Sequence, residues 1–151
     1  MKKMFTLVIG IVTVVTLTGS FTQALDTNKE PVCGKYNEST GVEGKKLAVI
    51  MPKAPGMEAS SYNDIGCAVR ARNEECATRQ GMFDSNAKAH DYRTGEEIAV
   101  EKAFFVLTKD LRTPAGYGVA AFKEQAQADA FAAEHKAKVV KWYQIVDEKL
   151  K

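Results

Sequence analysis

Beyond residue 24 the chain carries eight side chains suited to holding a soft metal: Cys33, Cys67, Cys76, Met51, Met57, Met82, His90 and His135. Thiolate and thioether sulfur favour Cu(I) over hard cations, and two or three such donors complete a linear or trigonal site. The composition permits copper without demanding it. The cysteines also permit a second chemistry, because in an oxidising compartment two of the three can pair and one is left over. No sequence pattern offers a nucleophile with a base and an orienting acid, a phosphate-cradling glycine loop, or paired Cys-x-x-Cys zinc spacing, so an enzyme is not expected.

The elements that must position these groups follow from local pattern. Residues 46–51 form a short apolar run between Gly44 and Pro52, which predicts a strand, and Pro55-Gly56 marks a turn. Residues 68–80 are mostly good helix formers and stop at Gly81. Residues 82–92 are strand-like, 93–96 make a tight connection, and 98–107 predict the next strand. The run Ala103-Phe104-Phe105-Val106-Leu107 within it implies burial on both faces. A Thr113-Pro114-Ala115-Gly116 loop leads to a strand over 117–122. Residues 123–135 give the clearest helix, with Ala126, Ala130 and Phe131 on its apolar stripe. A last strand is expected over 138–143 and a helical or frayed tail over 144–151.

The same order of strand, strand, helix and strand thus occurs twice. Residues 62–80 align with 117–135 at a constant offset of 55, which sets Cys67 opposite Phe122 and Cys76 opposite Phe131. The expected fold is α+β, with two tandem ββαβ-type repeats of predominantly antiparallel sheet and helices packed on it. The expected divisions are a signal peptide over 1–24, an extended N-terminal arm over 25–45, a first repeat over 46–92 and a second repeat with its tail over 93–151.

The signal peptide is expected from Met1-Lys2-Lys3, the apolar run over 4–17, and the small residues before a cut after Ala24. The run is too short for a membrane-spanning helix. Cleavage removes Lys2 and Lys3, which leaves the mature chain with equal numbers of basic and acidic side chains and cancels the formal +2. A neutral chain offers no electrostatic argument for nucleic acid or an anionic membrane surface. The expected location is the periplasm or outside the cell, with no membrane attachment after cleavage.

The segment over 89–122, a hairpin followed by Thr113-Pro114-Ala115-Gly116, resembles the core of the NosL family, accessory proteins that carry copper to nitrous-oxide reductase. A ββαβ repeat is also what that resemblance implies. Pro31-Val32-Cys33-Gly34-Lys35 resembles the family's Cys-Gly-Met segment, whose cysteine and methionine are associated with copper. Lys35 and Ala115 stand where that family typically has methionine, so two thioethers are replaced. Many members are lipoproteins, whereas Leu17-Thr18-Gly19 is followed here by Ser20, so a protein free of lipid is expected. The function implied is binding of Cu(I) and its delivery to a periplasmic metalloprotein acceptor. The competing function is a protein-binding module of the same fold, stapled by a disulfide, that has lost its metal ligands.

Candidate metal ligands are Cys33, Cys67, Met57, His90 and Cys76. Met57 follows Pro55-Gly56 in the first-repeat loop that matches the Thr113-Pro114-Ala115-Gly116 loop of the second, where it is a substitute ligand or an apolar gap-filler. Cys67 and Cys76 are nine residues apart, which on one helix separates them by about 180° of rotation and roughly 13 Å of rise. They can therefore neither bridge each other nor share an ion. Cys33 is left either as a metal thiolate on the arm or as one end of a Cys33–Cys67 or Cys33–Cys76 disulfide. His90 beside Asp91 is suited to a metal or to a hydrogen bond, and His135 at a helix end is suited to capping.

Overall fold

Apolar side chains that alternate along short strands must be covered on both sides, and in the computed structural model of the chain two helices and a second sheet supply that cover. The structure describes residues 33–36, 44–52, 57–78, 86–147 and 150. The expected signal segment, most of the arm, the Pro55-Gly56 turn and Gly81 lie outside these described residues. The elements run β1 (Val49–Met51), β2 (Ser60–Tyr62), α1 (Ile65–Thr78), β3 (Lys88–His90), β4 (Glu97–Ala99), β5 (Phe104–Leu107), β6 (Val119–Phe122), α2 (Gln125–Glu134), β7 (Val139–Val140) and α3 (Trp142–Asp147).

The architecture is α+β, as expected, with two antiparallel sheets ordered β2-β1-β3-β4 and β6-β5-β7. In each sheet the earliest strand is central and takes its next two partners on either side. Sheet two is buried on both faces. Phe105, Val119 and Ala121 point into a core shared with β1, β3, α1 and α3, while Val106, Ala120 and Phe122 meet Ala128, Phe131 and Ala132 of α2. The shared core joins both sheets, with Val49, Met51, Ile65 and Val69 packed in one cluster with Trp142 and Ile145.

Three sequence expectations are corrected. Residues 98–107 do not form one strand, because Lys102 and Ala103 both donate backbone hydrogen bonds to the Ala99 carbonyl and turn the chain from sheet one into sheet two. The unbroken apolar run concealed the break, since both segments are buried. The buried stripe of α2 is Ala128, Phe131 and Ala132, not Ala126 and Ala130, because Phe131 must seat between Tyr92 and Phe122, 5.4 and 5.2 Å away between centroids. The final strand is two residues long and gives way to α3, whose Trp142, Ile145 and Val146 are buried at helical spacing.

The offset of 55 is also corrected. It relates the first strands, where Val49 pairs with Tyr62 as Phe104 pairs with Phe122, but those partners are themselves 60 apart. Ile65 and Gln125, which begin the two helices, are likewise 60 apart. Counted between these paired residues, the β5–β6 hairpin is therefore five residues longer than its counterpart, and Cys67 in a helix does not correspond to Phe122 in a strand.

Two buried aspartates fix the junctions. Asp91, 1% exposed, accepts from the backbone N–H groups of Arg93 and Thr94 and the Thr94 hydroxyl at one oxygen, and from Lys123 N–H at 2.7 Å on the other. It ties the β3–β4 turn to the start of α2. Burial pushes its carboxyl pKa up, but the hydrogen bonds from Lys123, Thr94 and Arg93 outweigh burial and hold it below the ordinary aspartate value. The second, Asp64, belongs to the candidate site.

Candidate functional site

The arm, the N-terminus of α1 and the Thr113-Pro114-Ala115-Gly116 loop meet at one place. The sequence Asn63-Asp64 ahead of Ile65 starts the helix three residues earlier than the composition predicts. Asp64 takes the N-cap position and its Oδ1 accepts from Gly66 N–H at 2.9 Å. Its Oδ2 accepts from Ala115 N–H, also at 2.9 Å, so one fully buried carboxylate joins the helix start to the loop. Ala115 itself is buried. Gly118 closes the loop, with φ +67 and a position where any Cβ would lie 2.0 Å from the Thr108 carbonyl oxygen. Only glycine satisfies both conditions.

Tyr117 lies across the first turn of α1. A Cβ on Gly66 would fall 2.1 Å from Tyr117 Cγ, so the ring occupies the space that the glycine leaves. Hydrogen bonds with Tyr117 and, after it, Glu74 hold the exposed Arg70 guanidinium above its ordinary range. Gly66→Ala gains up to ~1 kcal/mol of helix propensity but must move the base of a ring, an overpacking cost of about 1–3 kcal/mol. The variant is expected to unfold at lower denaturant concentration than the parent. A higher midpoint would mean that Tyr117 is free to move aside.

Cys67 is the third residue of α1 and is buried at 1% exposure. It is bonded to Cys33, with Cα atoms 5.5 Å apart and a sequence separation of 34. Of the two pairings open to Cys33, this is the one formed. The arm then follows the end of β2. Asn63 N–H donates to the Gly34 carbonyl at 3.1 Å, Gly34 N–H donates to Asn63 Oδ1 at 3.2 Å, and the Ser61 hydroxyl donates to the Tyr36 carbonyl. Lys35 and Glu58 flank a groove of about 450 Å³ floored by residues 59–62. Met57, 57% exposed, directly precedes that groove in the chain.

The remaining candidates are placed elsewhere. His90 is buried, and its Nδ1 lies 3.0 Å from the Ala48 carbonyl, the geometry of a ring N–H donating to backbone. It alternates with Ala89, which packs in the core with α1, so it faces the opposite side of sheet one. The Tyr36 ring lies 6.2 Å from it. Cys76 is nine residues beyond Cys67 on α1, and its side chain is outside what is described. His135 is the C-cap residue of α2, stacked on Phe131 at 4.3 Å and 3.6 Å from Asp110. Among the described residues no group of three or more His, Cys, Asp or Glu is arranged to hold a metal. No helix among them is long and apolar enough to cross a membrane.

Sequence reasoning missed Asn63, Asp64, Gly66 and Tyr117. An Asn-Asp pair ahead of an apolar residue is a cap signal, and it was available. The seat of Tyr117 against Gly66 has no local signal.

Taken together, the two sheets and the cysteine-bearing arm bonded to a helix start make a small α+β protein. The chain belongs to the NosL family, whose model matches residues 53–150. That is a family of copper-related accessory proteins rather than of catalysts. The match begins after the arm, so Cys33 lies outside it. No curated protein matches the chain.

Proposed function

We propose that this protein, once exported and reduced, binds Cu(I) between Cys33 and Cys67, with Met57 as a third sulfur, and hands it to a periplasmic metalloprotein. The observation that carries this is the meeting of Cys33 with Cys67 at the start of α1, beside the loop where the family's methionine position is occupied by Ala115. Cys33 stands where the resembled family has its own cysteine, and Cys67 adds a second thiolate where Lys35 and Ala115 remove thioethers; as a soft, anionic donor it suits Cu(I). Transfer is stepwise ligand exchange. Cys33, on a segment held by three hydrogen bonds, leaves with the ion, while Cys67 stays in the fold.

His90 and Cys76 take no part in this site. The first already donates to Ala48 and faces away from α1, and the second lies two and a half turns along the helix. The test is competition for Cu(I) between the reduced mature protein and a chelator. Even the loss of a group that only supports a ligand costs 10–100-fold in metal affinity, so Cys33→Ser is expected to weaken binding at least ~100-fold.

The second reading is a protein-binding module stapled by its disulfide. The bond between Cys33 and Cys67 is the observation that favours it, together with Lys35 and Ala115 in place of methionine. Absence of Cu(I) binding by the fully reduced protein would select it.

A further inference from the structure

The two ends of the Cys33–Cys67 bond are unlike. Cys33 is exposed on the arm, whereas Cys67 is 1% exposed in the first turn of a 14-residue helix. A thiolate attacking a disulfide needs access to one sulfur and expels the other, and expulsion is faster when the departing thiolate is stabilised. Here access selects the direction. The incoming sulfur reaches the exposed Cys33, and the buried Cys67 departs with the electron pair.

We propose that the Cys33–Cys67 disulfide is an exchangeable gate on the copper site, opened by a dithiol that attacks Cys33; this rests on the copper reading above. One thiolate of the dithiol forms a bond to Cys33 Sγ, the Cys33–Cys67 bond breaks, and the electron pair leaves on Cys67. The second thiolate of the dithiol then attacks its own sulfur in the mixed disulfide and releases Cys33. The dithiol ends as a disulfide, having given two electrons and two protons to the cysteine pair. Both thiolates become available to Cu(I) in that step and neither is available before it.

Once the bond opens, the tethers of the arm among the described residues are the paired Gly34–Asn63 bonds, the Ser61–Tyr36 bond and the ring contact of Tyr36 with His90. These are weak enough to let Cys33 move with the ion. Cys76 does not compete for the pair, because its position on the same helix keeps it roughly 13 Å from Cys67 along the axis. Copper is therefore loaded only where a dithiol has reached the protein.

The experiment uses the mature protein in its oxidised form, in a Cys76→Ser background so that a third thiol cannot exchange. Exposure to glutathione, alkylation and peptide mapping locate the mixed disulfide, and Cu(I) competition is measured before and after reduction by dithiothreitol. The expected result is glutathione on Cys33 at least tenfold over Cys67, with Cu(I) retained only after reduction. Glutathione on Cys67, or no exchange under conditions that open exposed disulfides, overturns the direction of attack. Equal Cu(I) binding by the oxidised and reduced forms overturns the gate and puts the copper on ligands other than the Cys33–Cys67 pair. No binding by either form overturns the copper reading and the gate with it.

Discussion

Replacing Asp91 with alanine is expected to destabilise the protein by about 3–5 kcal/mol, because three backbone N–H groups lose their acceptor and each donor left unsatisfied costs about 1–3 kcal/mol. Arg93, Thr94 and Lys123 would each lose an acceptor, and the Lys123 N–H lies at the start of α2, far in sequence from the β3–β4 turn. The loss would loosen sheet one from α2 and not merely one loop. Asp91→Asn keeps one carbonyl oxygen and should fall between the parent and the alanine variant. The parent should also lose stability in acid. A carboxyl with its folded pKa below the ordinary 3.8 contributes fully above that value, and the contribution disappears as pH falls through the lower folded value. Denaturant titrations across that acid range should show a steeper fall in the parent than in Asp91→Asn. Parallel curves would mean that Asp91 bears no linked proton.

Opening the Cys33–Cys67 bond should have an effect of similar size. Freeing a loop of 34 residues restores chain entropy to the unfolded state worth about 3–4 kcal/mol. For a chain of this size that is a fall in melting temperature of roughly 10 °C. The two single variants should differ. Cys67→Ser also buries a hydroxyl in a helix turn that is 1% exposed, whereas Cys33→Ser leaves its hydroxyl in solvent. Adding a reductant should lower the melting temperature of the parent and leave that of Cys33→Ser unchanged. An oxidised protein that melts with the reduced one would mean that the arm contributes nothing to the fold.

These two effects mark what could be read from the chain and what could not. The α+β class and most elements follow from alternation and helix formers, because each strand's burial is written in its own residues. Residues 98–107 failed for the same reason, since two adjoining strands that are both buried look like one. The repeat offset drifted because a five-residue difference in loop length carries no apolar signal. Cys33 had two possible partners until the start of α1 was known, and that start is set by Asp64, whose second oxygen is used by Ala115, 51 residues away. Asp91 is the same case, for its bond to Lys123 spans 32 residues. Local pattern places such an aspartate in a turn. Only tertiary contact reveals that it joins two parts of the fold.

The site divides along the same line. Cys33, Cys67 and Met57 were legible as soft donors because their chemistry is intrinsic to the residue type. His90 was legible as a candidate, but its Nδ1 partner is Ala48 on the neighbouring strand, and strand register is beyond local pattern. The family match over residues 53–150 supplies the association with copper, while the pairing of Cys33 with Cys67 is seen only in the structure.

The most direct test is Cu(I) competition by the fully reduced mature protein alongside Cys67→Ser and Cys76→Ser. The account predicts tight 1:1 binding that falls at least ~100-fold in Cys67→Ser, since removing a ligand costs more than removing its support, and that is unchanged in Cys76→Ser. Binding that survives Cys67→Ser, or that is lost in Cys76→Ser, would contradict it.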